Sequence, residues 1–479
     1  MKKIALALSL GLSSTLSWAA DFEPNHGPSF SVPEIGGGVG LIDQQKEKMI
    51  GEKVYRQVQH QFPVIQDPWL QDQFMGVFSR ILTQTQLGRP IALVVIRDPQ
   101  INAFAVPGGL FALNTGLITS SKNLDEVAGV MAHEISHVAQ RHYSRSQEAF
   151  KGQGLLALAG IIVGAAIASQ ADGDAGGAIM MGTQAALMDR QLSYSRNQER
   201  EADRIGMQLM YGSGFNPHSM ADFFETMNRQ TSKVSYLPDF WLTHPLTTER
   251  MSEARLRANQ FPAVKSTTDQ QDFDVIKWHT AVISNQANEN QLKAIASGRK
   301  FAGNLALSEF YQRQGDYAQA QQYLNIAKSI EPNHSLLTII QTDIYLGQRQ
   351  YEDALKAISA KQQVAPENRA LSYKLAEVYI RLNRAKDAEK LVNKFVLNNG
   401  RDIVGWQLLQ QAANLDKENP MRTINVLRYR AEVQYWSGAE EGAIKSLLHA
   451  QRLAKGNISM SSVIDARLKT MQTERQLKI

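Results

Sequence analysis

The run His133-Glu134-Ile135-Ser136-His137 has the residue types and the spacing of a metal-dependent peptidase site. The surrounding stretch from Leu124 to Arg141 reads as an amphipathic helix, and residues four apart lie on one face of a helix. Both imidazoles can therefore reach one metal ion, while Glu134 can contact a water bound to that ion. A catalytic zinc site also needs a third protein ligand and keeps a fourth position for water. The alternative is a solvated helix face that carries these three residues by chance.

The nearest additional histidine, His142, is a poor candidate for the third ligand. It lies five residues after His137, so on a continuing helix it would face another direction. The metzincin pattern would need glycine and histidine at the positions of Gln140 and Tyr143. We therefore predict that His142 is a structural or surface histidine.

A second helical stretch, beginning between Ser195 and Asp203, offers a better third ligand. Glu199 and Asp203 are four residues apart and share one helix face, whereas Glu201 points away from it. With Glu199 as ligand the site becomes His-His-Glu. Asp203 would then orient a ligand, or stabilise and protonate an intermediate. By spacing alone, a solvated and charged helix start fits equally well.

One region of the first half predicts β-structure. Ile91 to Ile96 is rich in β-branched residues, and Ala103 to Leu113 brackets the turn signal Pro107-Gly108-Gly109. A strand left at the sheet edge near the metal could pair with an extended substrate peptide. The other interpretation is an ordinary hairpin.

The second half is built from repeats of 34 residues. At this spacing Tyr317 recurs as Tyr351 and Pro332 as Pro366. An alanine, a small residue suited to a helix contact, recurs in each unit at Ala320, Ala354 and Ala388. That period is typical of tetratricopeptide repeats, which stack helix pairs and leave a concave groove for a protein partner. An irregular helical bundle is the alternative. A further unit at 428–455 breaks register with the others.

The N-terminus reads as a signal peptide. Lys2 and Lys3 precede an apolar run, and cleavage is predicted near Ala19 or Ala20. An N-terminal anchor is disfavoured because the apolar run is short. A second apolar segment, 155–188, predicts a helical hairpin that is buried or lies at a membrane surface, with a transmembrane hairpin as the alternative.

Charge and cysteine content exclude some classes of protein and site. The formal charge of +5 falls to about +3 without Lys2 and Lys3. So small an excess of positive charge does not indicate a nucleic-acid-binding protein. The chain contains no cysteine, so disulfides and lipidation at cysteine are excluded. We predict an exported, periplasmic protein with possible peripheral membrane contact and no nucleic-acid partner.

Four motifs in order resemble the zinc peptidase family of the HtpX and CAAX-prenyl proteases. They are Asn102 to Gly109, Glu126 to Arg141, Glu199-x-x-Ala202-Asp203 and Thr243-His244-Pro245. The resemblance implies one Zn²⁺ on His133, His137 and Glu199, with Glu134 as the catalytic base and Asp203 as a proton donor. His244 would fill the fourth metal position in a resting state, stabilise the tetrahedral intermediate, or make only a structural contact.

The resemblance and the chain organisation together give the expected fold and function. The fold class is α+β and mainly α: a signal peptide (1–19), a helical zinc-metallopeptidase domain with a small sheet (20–256), connecting helices (257–303) and an α-solenoid of tetratricopeptide repeats (304–479). Its similarity to exported members of this family that carry such repeats implies that the chain is a chaperone-like endopeptidase for outer-membrane β-barrel proteins. Stalled β-barrel precursors would be its substrates, and the repeats would contact the β-barrel assembly machinery.

Two other functional interpretations stay open. The chain could act mainly as a non-proteolytic adaptor or chaperone whose protease site is normally latent. Alternatively, the apolar segment 155–188 and His244 could keep the protease closed until a partner docks. The prenyl-protein substrates of the membrane-embedded family members do not carry over, because this chain lacks convincing spanning helices.

Overall fold

The computed structural model describes residues 44–88, 90–142, 196–231, 244–264 and 269–476. The predicted signal peptide and the apolar segment 155–188 lie outside these residues. Among the residues described, no helix combines the length and the apolar character that crossing a bilayer requires.

A three-stranded sheet lies at the centre of the first half. Strands β1 (Ala92–Ile96), β2 (Ala103–Val106) and β3 (Leu110–Asn114) are arranged in the order β1-β3-β2. β1 is parallel to β3, and β2 pairs antiparallel with β3 through the predicted hairpin. The hairpin turn uses Gly108 and Gly109 at φ 89° and 86°, a region that side chains other than glycine rarely adopt. Both predicted strand regions are therefore confirmed.

Within the described residues of this half, seven helices surround the sheet. They are α1 (Gln44–Gln61), α2 (Pro68–Leu82), α3 (Thr115–Ser120), α4 (Leu124–Ala139), α5 (Arg196–Gly212), α6 (His218–Thr231) and α7 (Thr248–Ala258). Helix α4 carries the H-E-x-x-H run and is almost wholly buried. It begins at an N-cap, Asn123, whose side chain accepts a hydrogen bond from the backbone N–H of Glu126 at 2.9 Å.

The remaining helices follow one another as antiparallel pairs. They are α8 (Gln270–Ile283), α9 (Glu289–Gly298), α10 (Lys300–Gln314), α11 (Tyr317–Ile330), α12 (Ser335–Gly347), α13 (Tyr351–Val364), α14 (Arg369–Arg381), α15 (Ala385–Asn398), α16 (Ile403–Leu415), α17 (Arg422–Trp436), α18 (Glu440–Leu453) and α19 (Ile458–Gln476). The predicted connecting helices at 257–303 include α8 and α9, and the chain turns between these two helices with Asn285 at φ 61°.

The repeat alanines lie where the 34-residue period predicts tight helix contacts. Ala320, Ala354 and Ala388 are all fully buried, on α11, α13 and α15. The out-of-register unit at 428–455 also forms a helix pair, α17 and α18, joined at Gly438 with φ 81°. The second half is therefore a solenoid of stacked helix pairs, as predicted.

The two halves share hydrophobic cores. One face of the sheet, including Leu93 and Val95, belongs to a cluster that extends through α2 and α4 into the first repeat helices. The opposite face, including Val94 and Phe104, belongs to a second cluster. That second cluster joins α1 to residues between Ile403 and Met471 at the C-terminal end of the solenoid. The repeats therefore pack around the catalytic half instead of extending away from it.

Candidate metal centre

Two crossing helices bring the predicted ligands together. Helices α4 and α5 approach closely at Gly206, where a Cβ would lie 3.2 Å from the backbone nitrogen of His133. This close crossing places the first turns of α5, with Glu199 and Asp203, beside the H-E-x-x-H face of α4. Glycine at position 206 is thus a packing requirement for the site.

Four buried side chains converge on one point: His133, His137, Glu199 and His244. Nε2 of His133 lies 3.0 Å from Nε2 of His137 and 3.3 Å from Nδ1 of His244. The carboxylate oxygens of Glu199 lie 3.5 Å from Nε2 of both His133 and His137, and one of them lies 3.1 Å from Nδ1 of His244. All four donor atoms lie within 4.8 Å of one another.

These separations fit a tetrahedral metal site. Bonds of about 2.0 to 2.1 Å from a tetrahedral zinc would place neighbouring donor atoms about 3.4 Å apart. The observed separations of 3.0 to 3.5 Å lie around that value. His133, His137 and Glu199 are therefore positioned to bind a metal, and His244 is positioned as a fourth donor.

The pKa values of the clustered side chains indicate that, without a metal ion, the site holds a proton in its place. Burial lowers the pKa of His133, but the adjacent carboxylates of Asp203 and Glu199 outweigh it and raise that pKa to about 10. Burial lowers the pKa of His137 well below its ordinary value, and the neighbouring His133 lowers it further. Burial raises the pKa of Glu199, yet His244 and Arg250 outweigh this and hold it well below its usual range. A metal ion would displace the proton that these carboxylates hold on His133.

Glu134 lies beside the converging donors and points to the edge of the sheet. Its Oε1 is 3.4 Å from Nε2 of His244, and it accepts a hydrogen bond from the backbone of Ala105 on β2. Burial raises its pKa, and the imidazoles of His244 and His133 offset part of that effect. A carboxylate with a raised pKa, held next to a metal position, has the placement of a general base.

Asp203 contacts the first histidine on the side away from the converging donors. Its Oδ1 lies 2.9 Å from Nδ1 of His133. Such a contact fixes the ring so that Nε2 carries the lone pair toward a metal. Asp203 also accepts two hydrogen bonds from Arg250, both of 2.9 Å, and these charges lower its pKa against the opposing effect of burial.

Arg250 is a site residue that the sequence reasoning missed. It is 4% exposed and joins Asp203 to Glu199, whose Oε2 is 2.8 Å from Nη1 of the guanidinium. A further Nη1 hydrogen bond, to the carbonyl of Pro245, holds the loop that carries His244. The sequence feature that could have drawn attention to Arg250 is its position in the first turn of α7, three residues after the N-cap Thr247.

His142 is neither on a continuing helix nor at the surface. Helix α4 ends at Ala139, and Arg141 has φ 50°, which turns the chain. His142 is fully buried, with Nδ1 2.9 Å from Nδ1 of His137 and Nε2 3.1 Å from Oε2 of Glu201. His142 is therefore a structural histidine, which is one of the two predicted alternatives, and the surface alternative was wrong. His142 contacts His137, the second histidine of the H-E-x-x-H run. Glu201, which was predicted to point away from the face of Glu199 and Asp203, contacts the other ring nitrogen of His142.

Comparison with known proteins agrees with this geometry. The family model described as peptidase family M48 matches residues 65–258, and a tetratricopeptide repeat model matches residues 345–412. The beta-barrel assembly-enhancing protease of Escherichia coli is 31% identical over 457 residues, covering 91% of this chain and 90% of the relative. The putative beta-barrel assembly-enhancing protease of Vibrio cholerae is 31% identical over 463 residues, covering 93% of each chain. The mitochondrial metalloendopeptidase OMA1 of Arabidopsis thaliana is 26% identical over 248 residues, covering 51% of this chain and 47% of the relative.

Proposed function

Because the chain belongs to the family of beta-barrel assembly-enhancing proteases, we propose that it is a zinc-dependent endopeptidase with chaperone-like activity toward outer-membrane β-barrel proteins. It would degrade stalled or misfolded precursors in the periplasm, to which the predicted signal peptide directs it. The observation that carries the proposal is the convergence of His133, His137 and Glu199 beside the buried carboxylate of Glu134.

Zinc is the metal that best matches the donor set. Two imidazoles and one carboxylate in a tetrahedral arrangement are typical of catalytic zinc, whereas magnesium and calcium prefer sites made of oxygen ligands. When bound, zinc would act as a Lewis acid on the peptide carbonyl and lower the pKa of a bound water to about 7. His133, His137 and Glu199 would hold the ion.

Glu134 would act as the general base and then as the general acid. Its carboxylate would take a proton from the attacking water and pass it to the nitrogen of the departing amine. The scissile segment would lie along β2, an edge strand of the described sheet whose Ala105 already contacts Glu134. Main-chain pairing at that edge would accept many sequences, which suits an enzyme that removes misfolded chains.

His244 would hold the resting site closed. With Nδ1 among the metal donors and Nε2 3.4 Å from Glu134, it would occupy the position that the attacking water needs. A shift of the loop that contains Pro245 would open that position. Constitutive cleavage of unfolded substrates by the isolated full-length protein would count against this resting state.

Asp203 would orient His133, and this is the role that its contacts favour. The carboxylate lies on the far side of the imidazole and is paired twice with Arg250. The proton-donor role implied by the family resemblance stays a prediction. The repeats would supply the contact with the β-barrel assembly machinery.

The test replaces Glu134 by glutamine and uses a matched control in the same helix. Glu134→Gln should fold, retain zinc and lose cleavage of an unfolded β-barrel precursor by at least about a hundredfold. Glu126→Gln is the control, because Glu126 is equally buried in α4 but accepts a hydrogen bond from the backbone of Lys122, away from the metal centre. Full proteolysis by the first variant would refute the assignment.

The same variant separates the protease from the adaptor interpretation. If Glu134→Gln restores envelope function in a deletion strain, binding through the repeats is sufficient. If it fails to restore function while Glu126→Gln succeeds, proteolysis is the required activity.

A further inference from the structure

The turn between α18 and α19, at the C-terminal end of the solenoid, exposes three large apolar side chains. Leu453 ends α18 and is 47% exposed, Ile458 begins α19 and is 84% exposed, and Val463 on the second turn of α19 is 49% exposed. The opposite face of α19 is already buried in the hydrophobic cluster that includes α1. Apolar side chains exposed together in this way mark a surface that contacts another molecule. We call these three residues the turn patch.

The charges around the turn patch are positive. Residues 442–464 contain no aspartate or glutamate. Arg452 and Lys455, which flank Leu453, are both exposed and make no ion pair with any residue that the structure describes. The carboxylate that follows this stretch, Asp465, accepts a hydrogen bond from the side chain of Gln451. A molecule that covers the turn patch therefore meets two uncompensated cations, so its own surface should be anionic.

The shape of the turn patch favours a fluid partner over a folded one. Ile458 protrudes from the turn, and its neighbours Gly456, Asn457 and Ser459 are exposed as well. A folded protein could cover so convex a site only with a matching pocket. The interfacial layer of a bilayer adapts to a protruding side chain, and its lipid phosphates complement nearby lysine and arginine.

We propose that the turn patch docks on the surface of a membrane that contains anionic phospholipids. Leu453, Ile458 and Val463 insert between the headgroups, while Arg452 and Lys455 contact phosphate oxygens. Each cation contributes about fivefold to the affinity, so the pair contributes about 25-fold. Attachment of this kind is weak and reversible, because it combines a few apolar side chains with a small positive charge. The inference does not depend on the metal centre or on the proposed protease activity.

The absence of cysteine from the chain allows a direct test of insertion in the full-length protein. Ile458→Cys is labelled with the polarity-sensitive dye nitrobenzoxadiazole and mixed with phosphatidylethanolamine vesicles that contain about 30% phosphatidylglycerol. The dye emission should shift to shorter wavelength and rise at least about twofold. Val364→Cys, labelled in the same way, is the control, because Val364 is 83% exposed but has the exposed carboxylate of Glu367 nearby in the chain. Its emission should not change.

Sedimentation with sucrose-loaded vesicles of the same composition measures the affinity. Ile458→Ser should weaken binding at least about tenfold, whereas Val364→Ser should leave it within about twofold.

A pair of double variants tests the charges in the same assay. Arg452→Gln with Lys455→Gln should weaken binding about 25-fold. Lys386→Gln with Lys390→Gln removes the same charge from two exposed positions on α15 and should change binding by less than about twofold.

Four results would overturn the proposal. The first is absence of sedimentation at several millimolar lipid, which would leave a protein as the partner of the turn patch. The second is equal binding to vesicles of neutral phosphatidylcholine. The third is binding that Ile458→Ser leaves intact, which would assign membrane contact to another segment. The fourth is an equal loss in the two double variants, which would show attraction by overall charge alone.

Discussion

Replacing Arg250 by methionine would test whether the metal centre depends on a buried positive charge outside the donor set. The guanidinium is 4% exposed and makes two hydrogen bonds to Asp203 and one ion pair to Glu199, all between 2.8 and 2.9 Å. Methionine has a similar length but no charge, so the substitution leaves two buried carboxylates with protonated His133 as their shared cation. Removing one partner of a buried ion pair costs about 3 to 5 kcal/mol.

The measurement is urea unfolding in the presence of a chelator, with Arg255→Met as the control. Arg255 lies on the same helix, α7, but its ion pairs with Asp222 and Glu225 are substantially exposed. Exposed pairs contribute at most about 1 kcal/mol. Arg250→Met should therefore lower the free energy of unfolding by about 3 to 5 kcal/mol, and Arg255→Met by no more than about 1 kcal/mol.

A double variant separates charge from packing. When Asp203→Asn accompanies Arg250→Met, one of the two buried negative charges that have lost Arg250 is gone. The combined loss should therefore be smaller than the sum of the single losses by about 1 to 3 kcal/mol. Equal stability of Arg250→Met and Arg255→Met would refute the reasoning, and strict additivity in the double variant would show that the loss comes from packing.

Three further predictions concern the histidine partner, a buried ion pair and the contact between the halves. His142→Phe should weaken zinc binding about 10- to 100-fold, measured in competition with a chromophoric chelator. His142→Asn should recover part of the affinity, because its amide oxygen can accept a hydrogen bond from Nδ1 of His137. Equal affinities of the two variants would contradict an orienting role for His142. Burial lowers the pKa of His279, but Glu309 and Asp67 outweigh it and raise the pKa to about 10, above an unfolded value near 6.5. The stability from this ion pair is therefore complete below pH 6.5 and decreases toward pH 10 by at most about 1.4 kcal/mol per pH unit, a slope that His279→Gln should remove from unfolding curves. Gly438→Ala should cost about 1 to 3 kcal/mol more than Gly315→Ala; both glycines have φ near 81°, but only at 438 would the new Cβ meet α1, 2.4 Å from the carbonyl oxygen of Arg56.

The parts of the site that were predictable share one helix or one motif. His133 and His137 follow from helical periodicity. The need for a third ligand made Glu199 a candidate, and the family resemblance favoured it over a solvated helix start. The repeat period likewise predicted the buried alanines and the helix pairs. In these cases the spacing along the chain determines which side chains share a face.

The unpredicted parts depend on how separate elements meet. The sequence could not decide between a buried and a surface position for His142, because the end of α4 at Ala139 depends on the turn at Arg141, which has no glycine or proline to mark it. Arg250 is charged and lies on a helix whose other arginines are more exposed, so its sequence context resembles a solvated face. Only the packing of α7 against α5 makes it part of the site. The arrangement of the repeats around the catalytic half was also not readable, because that contact depends on the curvature of the solenoid.

The hydrophobic cluster that joins α1 to the far end of the solenoid has a consequence for the order in which the molecule matures. Helix α1 is the first described element of the chain, and its partners lie between Ile403 and Met471. Val94 and Phe104 of the catalytic sheet belong to the same cluster. Their face of the sheet therefore stays partly exposed until the C-terminal helices have been synthesised and have packed against it. Contacts this distant in sequence form late, because the whole intervening chain must be closed into a loop first. A chain interrupted during synthesis would therefore lack the packing that completes its protease half, which delays the onset of cleavage until the C-terminal helices are in place.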